Sequence, residues 1–188
     1  MERKNPIAEQ SKKWLINALL QLMEEKPYQN ITINEITDRA LLSRRTFYRN
    51  FTKKEELISA HIKTICEEYI AYLQDEADLL LPSITRVFFT FWQKHLDFLK
   101  ILQSNNLLYL LLENLNEIIP GVYNIFKGNL KEYACEDDLK YALAFSVGGY
   151  WNVLVIWLQD GAIKSPNELA KIAQDAIYAS LKVNSNKV

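Results

Sequence analysis

The sequence predicts an all-α protein, and three observations carry that expectation. Only five glycines and five prolines punctuate 188 residues, which favours long helices over strands. Leu, Ile and Ala are abundant, and apolar residues recur at steps of three and four, the period of a helix face. Ser/Thr-x-x-Glu motifs stand at Thr32, Thr52 and Ser165, each ahead of such a run, where they form capping boxes.

The first helix places Ile7, Trp14, Leu15, Ala18, Leu19, Leu22 and Met23 on one apolar face. It is expected to end before Pro27, because proline disfavours helical geometry in the residue preceding it. A short second helix opens at Thr32-Ile-Asn-Glu35 and runs to about Ala40, with Ile31 and Ile36 as a hydrophobic staple. After Leu41-Leu42, Ser43 caps a third short helix, with Leu42 and Phe47 as its staple. A fourth opens at Thr52-Lys-Lys-Glu55 and carries Leu57, Ile58, His61, Ile62, Ile65, Tyr69 and Leu73 to about Asp75.

Aromatic-rich helical segments follow near 83 to 103, 106 to 119 and 121 to 134, the last two separated by a break at Pro120-Gly121. One more helix spans about Asp137 to Gln159 and stops at Asp160-Gly161, glycine being suited to the left-handed residue after a helix. The last starts at Ser165-Pro-Asn-Glu168, with proline at the first helical position, and continues through Leu169, Ile172, Ala173, Ala176, Ile177 and Leu181. The final two helices are expected to pack antiparallel.

Composition excludes several classes. The net charge is −1, so any nucleic-acid binding has to be local. Residues 1 to 60 carry eleven Lys/Arg against eight Asp/Glu, whereas residues 61 to 188 carry eleven against fifteen. This asymmetry points to two domains, set at 1–58 and 59–188. Cys66 and Cys135 lack the spacing of a zinc site or a disulfide framework, so no metal and no cofactor are expected. The polar amino terminus does not read as a secretory signal, and a cytoplasmic location follows as the expectation. The chain has no Gly-rich phosphate loop and no Ser/His/Asp order, and its only histidines are His61 and His95, which argues against an enzyme.

The informative stretch is Ser43-Arg-Arg-Thr-Phe-Tyr-Arg-Asn-Phe-Thr-Lys-Lys54, with five cations and no acid. At a helical pitch, Phe47 and Phe51 share a narrow arc facing the core. Arg45, Thr46, Arg49 and Asn50 fall on the outer arc, with Arg44 and Tyr48 on its flank. A donor-rich, positive helix attracts phosphates and guanine edges. A lone basic helix is more often a solvated face. Here, however, it directly follows another short capped helix, which makes a helix-turn-helix.

At Thr32-Ile-Asn-Glu-Ile-Thr-Asp-Arg-Ala40, Ser43, Thr46-Phe-Tyr48, Phe51 and Lys54-Glu-Glu-Leu57 the chain resembles the tetracycline-repressor (TetR) family of bacterial transcription regulators. The resemblance covers about residues 10 to 58. It implies that Thr32, Ser43, Tyr48 and Lys54 contact phosphates and that Arg44, Arg45, Thr46 and Arg49 face the groove. Two positions depart from the family pattern. Leu41 stands in the turn where the family often has glycine, and a bulky residue at positive φ costs about 1–2 kcal/mol. Arg45 stands where the family often has a small residue, and we expect it to read a guanine, a contact worth about 1–3 kcal/mol of discrimination.

Residues 141 to 158 contain no charge and are long enough to cross a bilayer at about 1.5 Å per residue. Ser146, Asn152 and Gly148-Gly149 fall inside that run, and the helix after it is amphipathic, so burial on two sides by protein is expected instead of a membrane span. The resemblance implies a two-fold homodimer built on the last two helices. The residues expected there are Ala144, Gly148, Trp151, Val155, Leu169, Ile172 and Ala176. The dimer would present two recognition helices about 34–36 Å apart to a near-palindromic operator.

Phe88, Phe89, Phe91, Trp92, His95 and Phe98 crowd one segment and read either as core or as a cavity lining. The resemblance implies a ligand cavity. Phe88, Phe91, Trp92, Tyr109, Tyr123 and Trp151 are its expected lining, suited to an apolar or aromatic small molecule. The function expected is a double-stranded-DNA-binding regulator, a repressor released by an inducer. The alternative is a helical adaptor or coactivator acting through protein partners, without operator binding and without its steep salt dependence.

Overall fold

The computed structural model describes residues 6–75, 81–126 and 136–185. Among them the chain is helical, with ten α-helices and no strand. In order these are α1 (Pro6–Glu25), α2 (Ile33–Arg39), α3 (Arg44–Asn50), α4 (Glu55–Gln74), α5 (Leu81–Gln93), α6 (Leu96–Ser104), α7 (Leu108–Glu117), α8 (Ile119–Phe126), α9 (Glu136–Gln159) and α10 (Pro166–Ser185). A short 3-10 turn, Tyr28–Asn30, lies between α1 and α2.

The chain divides into two compact units. The first comprises residues 1–65 and 101–114, and the second comprises 66–100 and 115–188. The first therefore takes in more than residues 1–58: it holds the opening turns of α4 and the α6–α7 corner.

In the first unit, α1, α2 and α3 pack on one another around Leu15, Leu19, Ile36, Phe47, Leu57, Ile58 and Ile62, all fully buried. The expected core face of α1 needs correction at Ile7 and Trp14, which are exposed. Ser11 occupies the core face in their place. Its hydroxyl donates to the Ile7 carbonyl at 2.8 Å, so its only polar group is satisfied within the helix and burial costs little.

The expected caps are present at α2 and α3. Thr32 Oγ1 accepts from the Glu35 N–H at 3.3 Å, and the Glu35 carboxylate accepts from the Thr32 N–H at 2.9 Å. Ser43 Oγ accepts from the Thr46 N–H at 3.1 Å. At α4 the reaching acid differs from the expectation. Glu56, not Glu55, accepts from the Thr52 N–H at 2.7 Å and from its hydroxyl.

The turn between α2 and α3 closes with Leu41 at φ +54°. The Leu42 N–H bonds the Thr37 carbonyl at 2.9 Å and the Leu41 N–H bonds that of Asp38 at 3.1 Å, a Schellman closure that requires a left-handed residue. Leucine therefore occupies a glycine position, and it is 91% exposed.

The second unit is built around aromatic rings. Helix α5 carries Phe88, Phe89, Phe91 and Trp92, all buried, and α10 packs chiefly along α5, with Leu169 and Ile172 also facing Val153, Ile156 and Trp157 of α9 across a shared cavity. The single helix expected over 83 to 103 is in fact two. The Lys94 and His95 N–H groups bond back three residues, to Phe91 and Trp92, and the chain restarts as α6. No glycine or proline marks that break. Pro120 and Gly121 lie inside α8, in its first turn, where the missing proline N–H removes no helical bond. The end of the helix expected over 121 to 134, Cys135, and the side chains of Ile177 and Leu181 lie outside the described residues.

Helix α9 ends as expected. Gly161 adopts φ +79°, Trp157 Nε1 donates to the Lys164 carbonyl at 2.9 Å, and Ser165 and Glu168 form their reciprocal box.

Candidate nucleic-acid interface

Helix α3 is only seven residues long, too short to persist alone. Its position comes from below. Phe47 is fully buried and Phe51 nearly so, with ring centroids 6.0 Å apart. This fixes the opposite face outward. Arg44, Arg45 and Arg49 are exposed, and Tyr48 is half-exposed. The Arg44 guanidinium lies 5.8 Å from the Tyr48 ring centroid, a cation–π distance. Thr46 and Asn50 are half-buried, and Asn50 Nδ2 donates back to the Thr46 carbonyl at 2.8 Å. That bond draws Asn50 away from the outer face.

The other polar residues of the motif are already engaged. Ser43 Oγ lies 3.0 Å from Thr46 Oγ1 in addition to capping the helix. The Thr32 hydroxyl donates to the Glu35 carboxylate at 2.9 Å. Lys54, which the resemblance sets at a phosphate, has its ammonium turned into the domain, 2.7 Å from the Tyr28 carbonyl and 2.8 Å from that of Ile31. Burial there pulls its pKa below the usual lysine value, and the neighbouring Glu55 opposes the shift.

Helices α1 and α2 are joined by ion pairs that hold the brace in place. Arg39 meets Glu25 through two parallel bonds of 2.8 Å, and Lys26 pairs with Glu35. Two acids of this region, Glu25 and Glu35, are thus engaged by cations outside α3, and α3 itself carries none.

The expected ligand residues do not all come together. Phe88, Phe91 and Trp92 share one cluster in the second unit, with Tyr69 and Tyr150 among them. The Phe88 and Tyr150 rings stack at 5.1 Å, and Tyr69 meets Phe91 at the same distance. Tyr150 OH lies 2.8 Å from Thr85 Oγ1, whereas the buried Trp92 Nε1 has no hydrogen-bond partner among the described residues. Tyr123 on α8 and Trp151 on α9 are half-buried. Tyr109 belongs to the first unit and is half-exposed.

The expected interface residues divide too. Ala144, Ile172 and Ala176 are exposed, Gly148, Trp151 and Val155 are half-buried, and Leu169 is buried. A Cβ at Gly148 would meet open space. The most exposed face of α9 lies beside the one expected. It carries Phe145, 83% exposed, with Tyr141 and Ile156 at helical spacing. Sequence reasoning missed these three because the whole helix is apolar and its small-residue step drew attention to Ala144 and Gly148. Among the described residues, α9 is the one helix long and apolar enough to cross a membrane.

Comparison with known proteins agrees with this geometry. The family model described as bacterial regulatory proteins, tetR family, matches residues 15–60. The transposon Tn10 TetC protein of Escherichia coli is 37% identical over 82 residues, 42% of this chain and 42% of that protein. YxbF of Bacillus subtilis (strain 168), an uncharacterized HTH-type transcriptional regulator, is 40% identical over 52 residues, 28% of this chain and 14% of its own length. The match therefore spans less than half the length of these curated relatives.

Among solved structures, the fatty acid degradation regulator FadR from Bacillus halodurans superposes with a TM-score of 0.62 at 17% identity, covering 93% of this chain and 95% of that one. The dihydroxyacetone kinase operon activator DhaS superposes at 0.58 and 16%, covering 92% and 97%. At these identities the likeness is one of fold.

Proposed function

Since this chain belongs to the tetR family of bacterial regulatory proteins, we propose that it is a sequence-specific double-stranded-DNA-binding transcriptional regulator, acting in the cytoplasm as a repressor released by a small-molecule inducer. The observation that carries this reading is α3 itself: Arg44, Arg45 and Arg49 stand exposed on a helix without acids, and Phe47 and Phe51 lock the opposite side into the core. Such a helix fits the major groove, where arginine pairs with guanine O6 and N7. In this reading Arg45, Thr46 and Arg49 read base edges, Arg44 lies on the flank, and Thr32, Ser43 and Tyr48 meet phosphates along the groove wall.

A homodimer supplies the second recognition helix. In support, α9 buries Leu154, Trp157 and Leu158 within its own unit while leaving Phe145, Tyr141 and Ile156 uncovered. A second copy covers that face better than lipid does, because Gly149 and Asn152 share it. The inducer is an apolar or aromatic molecule bearing a hydrogen-bond acceptor, bound in the second unit. The buried and unpartnered Trp92 Nε1 amid aromatic rings supports that chemistry. An inducer acts by binding more tightly to a dimer whose two α3 helices are wrongly spaced for the groove.

Selection of bound duplexes from a random-sequence pool tests the function. A near-palindrome, bound with an affinity that falls steeply as salt rises, is the expected result. Recovery of no preferred sequence, with a flat salt profile, overturns it in favour of an adaptor.

A further inference from the structure

The half-buried Lys54 ammonium faces a set of backbone acceptors. The carbonyls of Tyr28 and Ile31 lie 2.7 and 2.8 Å from Nζ, and that of Gln29 lies at 3.4 Å. The Tyr28 ring sits beside it with its centroid 4.2 Å away. An ammonium has three donors, and two of them are held by the short bonds to Tyr28 and Ile31.

The place of the cluster in the chain gives it a purpose. Tyr28–Asn30 is the turn just before Thr32 caps α2, and Lys54 is the last residue before α4. Everything between them, both helices of the helix-turn-helix, leaves one base and returns to it. Each of those helices is seven residues long, too short to persist without tertiary support, and the base adds to the support that Phe47 and Phe51 give α3 from the core.

We propose that Lys54 is a positioning residue for DNA recognition: its ammonium staples the base of the helix-turn-helix to the Tyr28–Ile31 carbonyls and so sets the presentation of α3, instead of serving as a phosphate ligand. This role depends on the DNA-binding function proposed above. It makes a chemical demand that a phosphate contact does not. Converging carbonyls suit the compact, pyramidal ammonium, whereas the planar guanidinium fork of arginine cannot gather them. A phosphate accepts either cation, and arginine bidentately.

The test compares full-length wild type with Lys54→Arg, Lys54→Met and Arg49→Ala on a duplex recovered from a random-sequence pool, with affinity measured across a salt series and the thermal midpoint alongside. Both Lys54 variants are expected to lose affinity about tenfold or more and to melt earlier, with the wild-type slope of log affinity against log salt. Arg49→Ala is expected to lower that slope by about 0.9 with an unchanged midpoint. Wild-type affinity in Lys54→Arg, or a slope lowered by about 0.9 in Lys54→Met, overturns the proposal.

If the Lys54 variants do not fold, reductive methylation of the wild type decides. Without DNA, Lys54 should react about tenfold or more slowly than exposed Lys53. Equal reactivity, with protection only when duplex is added, overturns the staple. A wild type without salt-dependent duplex binding refutes the function instead, and the two failures are told apart because methylation reads the ammonium with no DNA present.

Discussion

The backbone N–H of Tyr28 donates to Oδ1 of Asn105 at 2.7 Å, a buried bond between residues 77 positions apart. Asn105 is held for the task. Its Nδ2 donates to the Ile101 carbonyl at 2.9 Å, and the next residue, Asn106, takes φ +57° to end α6. The α6–α7 corner thereby grips the same short turn that Lys54 holds by its carbonyls. This bond gives a physical reason why residues 101–114 count with the first compact unit.

Replacing Asn105 with alanine leaves the Tyr28 N–H buried without an acceptor, and the penalty for such a group is about 1–3 kcal/mol. Urea denaturation of Asn105→Ala should show a loss of that size. A stability within error of wild type would mean that the bond is replaced by water.

Leu41 holds a left-handed backbone with its side chain almost wholly in solvent. Leu41→Gly should therefore raise stability by about 0.5–1 kcal/mol, since relief of roughly 1–2 kcal/mol of strain exceeds the added chain entropy of glycine. Leu41→Val should lower it, because a β-branched side chain tolerates positive φ least. Thermal melts of the two variants should move in opposite directions.

Arg45→Ala should relax discrimination at one base position of the selected site by about 1–3 kcal/mol while leaving other positions ranked as before. Binding to a panel of single-position duplex variants measures this directly. Uniform weakening across the panel would make Arg45 a phosphate contact.

Phe145→Glu places a charge at the centre of the uncovered α9 face, where the side chain touches little of its own unit. Sedimentation should then report a monomer that keeps the helical content of the wild type, because a buried unpaired charge disfavours association. A dimer unaffected by this change would place the interface elsewhere.

The Glu35 carboxyl is held below its usual 4.5, at about 2, first by the Lys26 ammonium and then by the N–H and hydroxyl of Thr32, with desolvation opposing. A carboxyl whose pKa is lowered by folding contributes fully above its unfolded value and loses that contribution as pH falls from about 4.5 through about 2. The stability of the wild type should decline across that window. Glu35→Gln should be less stable at neutral pH and should show a shallower decline, measured by thermal melts at each pH.

Local chemistry is written in the chain. The caps at Thr32, Ser43 and Ser165, the stop at Gly161 and the inward pair Phe47 and Phe51 follow from bonds and periods spanning four residues or fewer, so each could be read before any fold was known. The outward set Arg44, Arg45 and Arg49 follows from the same period. Long-range choices could not be read in this way. Ser11 displaces Trp14 from the α1 core, α10 lies along α5, and Lys54 turns inward to carbonyls more than twenty positions away. Nothing near Asn105 in sequence announces Tyr28 as its partner. A helical period says which side chains share a face, but which face is covered, and by what, depends on packing energies summed over residues that meet only when the chain has closed.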